Sequence, residues 1–258
     1  MTKFVTPSFR LDGKRALVTG GSKGIGLAAA HALAQAGANV MIVARGAPDL
    51  ILASAEIHAG VKNGTAIVEH KALNVQDSAA VDVLFASSAP FDIVINNAGT
   101  NRPKALEDTS DEDIDAVLDL NIKAALYVLR AASKSMKTAQ LRGSIVNISS
   151  QMGHVGSPHR TLYCASKHAL EGATKALAWE LGAYGIRVNT ICPTFIETPL
   201  TAPMLSKPEF KEFVLSKIAL GRLGQLEEVM GAVVFLASDA SSLMTGSALM
   251  LDGGWTAS

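Results

Sequence analysis

Tyr163 and Lys167 stand four residues apart at the start of a segment, 163–184, whose apolar residues recur at helical spacing. An i, i+4 pair projects from one face of a helix, so the phenol and the ammonium approach the same point. A free tyrosine has a pKa near ~10 and is only about 0.1% ionised at neutral pH. A cation at ~4 Å is worth up to about 4 kcal/mol at an intermediate dielectric, roughly three pKa units. Lowered that far, the phenol becomes a usable general acid/base. On a solvated helix face the same pair does nothing, so the rest of the chain decides between the two.

A second set of residues has a different chemistry. Gly20, Ser22, Lys23, Gly24, Ile25 and Gly26 lie between a β-prone run, 15–19, and a helical pattern, 27–36, that ends at Gly37. Glycines there let the backbone turn tightly and approach a pyrophosphate, with free N–H groups and positive dipole at the helix start. Residues 39–44 (NVMIVA) read as the next strand, which completes a βαβ unit. A site for NAD would place an acidic residue at the end of that strand for the ribose hydroxyls. Ala44 and Arg45 stand there instead. Arg45 and Lys23 converge where a 2′-phosphate would sit, which favours NADP(H), with NAD(H) kept as the alternative.

These residues need a scaffold, and the remaining chain supplies one. Helical patterns at 49–59 and 78–87 flank a strand at 66–72, and a buried strand at 92–95 runs into Asn96-Asn97-Ala98-Gly99. A long helical stretch from about 111 to 136 precedes a strand at 144–148. After the Tyr163 helix come a strand at 186–191, a helix at 226–237 and a last strand at 247–251. Such alternation predicts the α/β class: a single-domain, Rossmann-like, doubly wound parallel sheet with helices on both faces, spanning 1–258. Ligands bind such sheets beyond the carboxyl ends of the strands, near the switch point.

Composition agrees. Hydrophobic residues make up 48% of the 258 and charged residues only 18%, and the mean hydropathy is +0.26. That suits a sheet covered on both faces. The net charge is zero, without the basic stripe of a nucleic-acid binder. No run of ~18 apolar residues or signal-peptide core is present, so no membrane partner is expected. Cys164 and Cys192 make no metal spacing; the expectation is two reduced thiols, no metal, and a cytoplasmic protein. Cys164 reads as a packing residue rather than a nucleophile.

Taken together, Thr19-Gly20-xxx-Gly24-x-Gly26, Asn96-Asn97-Ala98-Gly99, Asn121, Ser149, Tyr163-xxx-Lys167 and Pro193-xxxx-Thr198 resemble the short-chain dehydrogenase/reductase family over essentially the whole chain. The resemblance implies hydride transfer between NAD(P) and an alcohol/carbonyl pair. Tyr163 would be the general acid/base, with Lys167 lowering its pKa and holding the nicotinamide ribose. Ser149 would orient the carbonyl and stabilise charge on its oxygen, and Asn121 would hold a water linking Lys167 to solvent. Asn74 and Val75 would contact the adenine; Asn97, Ala98 and Gly99 would line the ribose and nicotinamide path. Pro193, Ile196 and Thr198 would face the carboxamide, although Thr194 replaces the usual glycine after the proline and predicts a different turn.

The substrate end is less specified. Gln151 and Arg160 are the candidate substrate contacts in the loop between Ser149 and Tyr163, with His154 and His159 beside them. Residues 198–223 resemble the family's substrate lid, and Pro199, Leu200, Met204, Leu205, Phe210 and Phe213 would either roof the pocket or fix the lid to the body. A polyol or sugar, a small ketone and a 3-oxoacyl thioester all fit as the small-molecule substrate. A non-catalytic NADP-binding regulatory protein, and a dehydratase or epimerase that keeps its cofactor, are the other function classes. The helices at 111–136 and 163–184 and Gly253-Gly254-Trp255 resemble family contacts of a homotetramer or homodimer.

Overall fold

Alternate side chains of a strand face opposite sides of its sheet, and in this chain both sides are apolar. The computed structural model describes residues 4–61 and 66–257. Its strands are β1 (Arg15–Thr19), β2 (Asn39–Ala44), β3 (Val68–Ala72), β4 (Ile93–Asn96), β5 (Ser144–Ile148), β6 (Arg187–Pro193) and β7 (Ala248–Leu251). Ala16 and Val18 of β1 pack into one buried cluster while Leu17 between them packs into another. Ile42 and Val43 of β2 divide in the same way.

The strands form one seven-stranded parallel sheet in the order β3-β2-β1-β4-β5-β6-β7. Helices α1 (Gly24–Gln35), α2 (Ala47–Gly60) and α9 (Leu226–Ala237) cover one face. Helices α3 (Ser78–Ser87), α5 (Ala125–Thr138) and α6 (Thr161–Gly182) cover the other. The chain reverses direction across the sheet between β1 and β4, and a crevice opens beyond their carboxyl ends. The expected α/β, doubly wound, Rossmann-like parallel sheet is the observed one.

Two differences from the sequence reading matter for the site. The long helix expected over 111–136 is α4 (Asp111–Leu118), a π-helical turn (Asp119–Ala124) and then α5. One wide turn in the middle of the helix re-aims Asn121. The segment 198–223 is helical in two pieces, α7 (Ala202–Leu205) and α8 (Pro208–Lys217). The strand expected over 66–72 begins at Val68, and 62–65 lie outside the described residues. No described helix is long and apolar enough to cross a membrane.

Candidate active site

A cleft of about 570 Å³ runs along the carboxyl ends of the strands. Its walls include Gly20, Ser22, Lys23, Gly24, Ile25, Gly26, Arg45, Asn74, Val75, Asn97, Ala98, Gly99, Pro193, Ile196 and Thr198, every residue read from the sequence as cofactor-binding. Ser149, Tyr163 and Lys167 line it too. Residues separated by up to 178 positions thus share one surface because their strands end at one edge.

The glycine loop fits a dinucleotide phosphate. Gly20 has φ +64°, a conformation that disfavours any side chain. A Cβ on Gly26 would lie 2.2 Å from the Gly20 carbonyl oxygen, so the helix can pack this close only with glycine there. Helix α1 starts after Lys23 with no side-chain cap and no acidic residue in its first turn. Its leading N–H groups and positive dipole therefore stay available to an anion. Lys23 and Arg45 are exposed at the same end and make no ion pair among the described residues.

Thr19 holds this end together. Its Oγ1 accepts from the N–H groups of Asn97 (2.9 Å) and Ala98 (3.1 Å), tying the end of β1 to the end of β4. Asn97 Nδ2 donates back to the carbonyls of Thr19 and Gly20 at 2.9 and 3.2 Å. The Asn97 amide is thus a brace for the glycine loop. Asn74 lines the cleft while its Oδ1 accepts from Gln76 N–H at 3.2 Å, closing an Asx turn. At Thr194 the backbone has no positive φ, so threonine is accommodated without strain; its N–H donates to Leu251 O at 3.1 Å.

Asn121 lies one layer behind the cleft, 2% exposed. Its Oδ1 accepts from Thr100 N–H at 2.8 Å, and its Nδ2 donates to Thr100 O at 2.9 Å and Ser166 Oγ at 3.0 Å. The side chain thereby clamps the loop after β4 to the catalytic helix. Its amide bonds go to Thr100 and Ser166 rather than to Lys167.

Lys167 Nζ donates to Ile148 O at 2.8 Å and lies 5.5 Å from the centre of the Tyr163 ring. Burial dominates both groups. It pushes the phenol up to about 12, offset in part by Ser150 and by the nearby Arg160 charge. It brings the ammonium down to about 8. The lowering on Tyr163 comes from Ser150 and Arg160 rather than from Lys167, and desolvation outweighs it. A proton stays on Tyr163 at neutral pH, which suits a donor.

Gln151 and Arg160 are both buried, at 1% and 5% exposure, but neither lines the cleft itself. His159 adopts φ +59°, and this left-handed turn ends the loop just before Arg160. The guanidinium lies over the Phe210 ring, 5.7 Å from its centre, and Nη2 is 3.2 Å from Met204 Sδ. No carboxylate pairs with it among the described residues. Met204, Leu205 and Phe210 pack with Phe195, Met152 and Trp255 against the body, whereas Pro199 and Leu200 wall the cleft. Segment 198–223 is thus divided along the chain between cleft wall and packing against the body.

Several residues of the site escaped the sequence reading. Thr19, Thr100, Ser150, Thr201 and Asp49 support or line the cleft. Thr19 stood inside a quoted motif; the rest carry no local signal. His154, Glu171 and Cys192 meet behind Gly153, a grouping made only by the fold. Cys164 and Cys192 are both free thiols, and Cys164 packs at the edge of the lid cluster.

Comparison with known proteins agrees with this geometry. A family model described as enoyl-(acyl carrier protein) reductase matches residues 20–256. Gluconate 5-dehydrogenase of Gluconobacter oxydans is 38% identical over 253 residues, covering 97% of each chain. A 3-oxoacyl-(acyl-carrier-protein) reductase of Thermotoga maritima is 39% identical over 251 residues, covering 95% of this chain and 98% of its own. A solved gluconate 5-dehydrogenase from Burkholderia cenocepacia, in complex with NADP and tartrate, superposes with a TM-score of 0.90 at 33% identity. That match covers 97% of this chain and 98% of the other. The chain belongs to the short-chain dehydrogenase/reductase family, NAD(P)-dependent oxidoreductases acting on CH–OH groups.

Proposed function

We propose that the protein interconverts a small polyhydroxylated ketone and its secondary alcohol with NADP(H), using Tyr163 as the acid/base and favouring substrates with an anionic group. One observation carries the substrate part of this reading. Ser149 Oγ, Gln151 Nε2, Arg160 Nη1 and Thr194 Oγ1 are buried without a hydrogen-bond partner, and they are the side-chain atoms of this kind among the described residues. A buried polar group left unpaired costs about 1–3 kcal/mol, and more when charged. All four lie on segments that surround Tyr163. Ser149 and Thr194 line the cleft, with Gln151 and Arg160 just behind it; a ligand rich in hydroxyl and carboxylate oxygens that reaches past the wall would satisfy them, and a plain hydrocarbon ketone would not.

In reduction, Ser149 donates to the carbonyl oxygen, which fixes the carbonyl and stabilises the charge that grows there. Tyr163 delivers its proton to that oxygen. Bound nicotinamide supplies the hydride in this direction and accepts it in the other. Lys167, positive below about pH 8, stays beside the phenol and favours its anion once the proton has left. In oxidation Tyr163 must first lose its proton, and the Lys167 and Arg160 charges both assist. Lys23 and Arg45, exposed and without ionic partners among the described residues, would hold the 2′-phosphate that distinguishes NADP.

The test is a matched panel with NADPH and NADP⁺: a neutral keto-sugar, a keto-acid of the aldonate type and a 3-oxoacyl thioester, each with its alcohol. In the reduction direction, Arg160→Met is expected to raise KM for the acid by about tenfold or more with kcat roughly kept, leaving the neutral sugar unaffected. Equal turnover of all three by wild type, or equal KM changes for acid and sugar, would sink the anionic-substrate part. Self-association belongs to the same reading. Leu126 on α5 and Trp179 on α6 are 44% and 90% exposed, apolar surface that a second copy would cover. A monomer by light scattering would remove it.

A further inference from the structure

We propose that His154, Glu171 and Cys192 form a binding site for a transition-metal ion of the zinc class, separate from the nucleotide cleft. Among the described residues this is the one group of His, Cys, Asp and Glu whose ligand atoms all converge. Cys192 Sγ lies 3.3 Å from Glu171 Oε1 and 3.5 Å from His154 Nε2, and His154 Nε2 lies 3.6 Å from Glu171 Oε1. Tetrahedral zinc with ordinary bonds to S, N and O holds those atoms about 3.3–3.6 Å apart. The triangle already has the edges of one face of that tetrahedron.

Charge and support agree. A thiolate, a carboxylate and a neutral imidazole balance a divalent cation in a place where net charge would be costly. Glu171 is 4% exposed and Cys192 fully buried, and His154 is the ion-pair partner of Glu171 within 4 Å among the described residues. Thr190 Oγ1 donates to Glu171 Oε2 at 3.0 Å, which turns the other oxygen toward the sulfur and nitrogen. The His154 side chain is 30% exposed, so an ion can enter and a water can take the fourth position. Mixed nitrogen, sulfur and oxygen donors suit zinc or cobalt and poorly suit magnesium or calcium.

Binding releases the thiol proton to solvent as the metal–sulfur bond forms. Gly153 lies between this cluster and Ser149: a Cβ there would lie 3.1 Å from both Ser149 Oγ and Glu171 Cγ. An ion in the site ties α6, β6 and the loop after Ser149 into one unit.

The probe is Co²⁺ added to the whole protein and followed by absorption. One equivalent is expected to produce the visible bands of a tetrahedral site with a near-ultraviolet thiolate charge-transfer band, and Zn²⁺ should displace it. His154→Asn and Cys192→Ala should each abolish the charge-transfer band and weaken binding beyond the about 10–100-fold typical of losing an outer-shell partner. Cys164→Ala should change nothing. Wild type without the band, a band that survives in His154→Asn, or one that disappears in Cys164→Ala would each overturn the proposal. His154 is on the surface, so its variant decides the matter even if Cys192→Ala fails to fold.

Discussion

At the glycine-loop end of the cleft, the polar side chains of the framework are spent on the protein itself. Thr19 and Asn97 bind β1 to β4, Asn74 closes its own turn, and Asn121 clamps Thr100 to α6. Around Tyr163 the pattern reverses, with four buried polar atoms that have no partner. The first end offers a ligand backbone N–H groups and two exposed cations on a rigid frame. The second offers side chains whose bonds are still to be made. Rigid backbone suits an invariant ligand such as a dinucleotide, whereas uncommitted side chains set which substrate fits.

The largest expected effect breaks the two ends apart. Tyr163→Phe removes the proton donor and should lower kcat by about 10²–10⁴-fold, while NADPH affinity stays within a fewfold. Single-turnover kinetics with a cofactor fluorescence titration measures both, and retention of more than about a tenth of the rate would refute the assignment. Next in size is Arg45→Ala, which should cost ~1.5–3 kcal/mol of NADPH binding and leave NADH nearly unchanged. Equal losses for both cofactors would show that Arg45 is only a solvated loop residue.

The smallest effect concerns stability. Moving Lys167 from its ordinary 10.5 to about 8 corresponds to roughly 3 kcal/mol of burial penalty while the amine is charged. Losing its hydrogen bond to Ile148 O offsets about 1–1.5 kcal/mol of that. Lys167→Met should therefore be inactive yet more stable than wild type at pH 7, by ~1–2 kcal/mol. Between pH 8 and 10 the folded wild type sheds this proton before the unfolded chain does. Its stability rises there, and the advantage of the methionine shrinks. Urea melts of both proteins at pH 7 and near pH 10 check the sign; a variant less stable at pH 7 contradicts it.

Residue type and spacing were enough for the chemistry that one element carries. Tyr163 and Lys167 sit one turn apart, and Gly20, Gly24 and Gly26 share one strand-to-helix turn, so local sequence displays them. The parallel sheet was equally legible, since continuous apolar strands separated by helices leave few other arrangements. Three things were not. The π-turn at Asp119–Ala124 leaves no mark in the helical pattern, yet it sets where Asn121 points. The ionisation of Tyr163 depends on how much protein surrounds it, and burial raises the phenol where a neighbouring cation alone would lower it. The His154–Glu171–Cys192 group joins a loop, a helix and a strand separated by up to 38 positions, and only folding supplies that contact.

The aromatic contacts of the lid also bear on how the chain is made. Phe195 lies tilted against Trp255 and Phe213 meets it edge-on, with ring centres 5.9 and 6.4 Å away. Helices α7 and α8 are synthesised some 40 to 50 residues before that tryptophan, so a growing polypeptide can seat them on Met152 and Phe195 but lacks the Trp255 side of their packing. The strands and the glycine loop of the nucleotide end emerge first and can assemble first. During synthesis the nascent protein should therefore acquire its grip on the dinucleotide before its substrate chamber has a roof, and the last turn to emerge closes it.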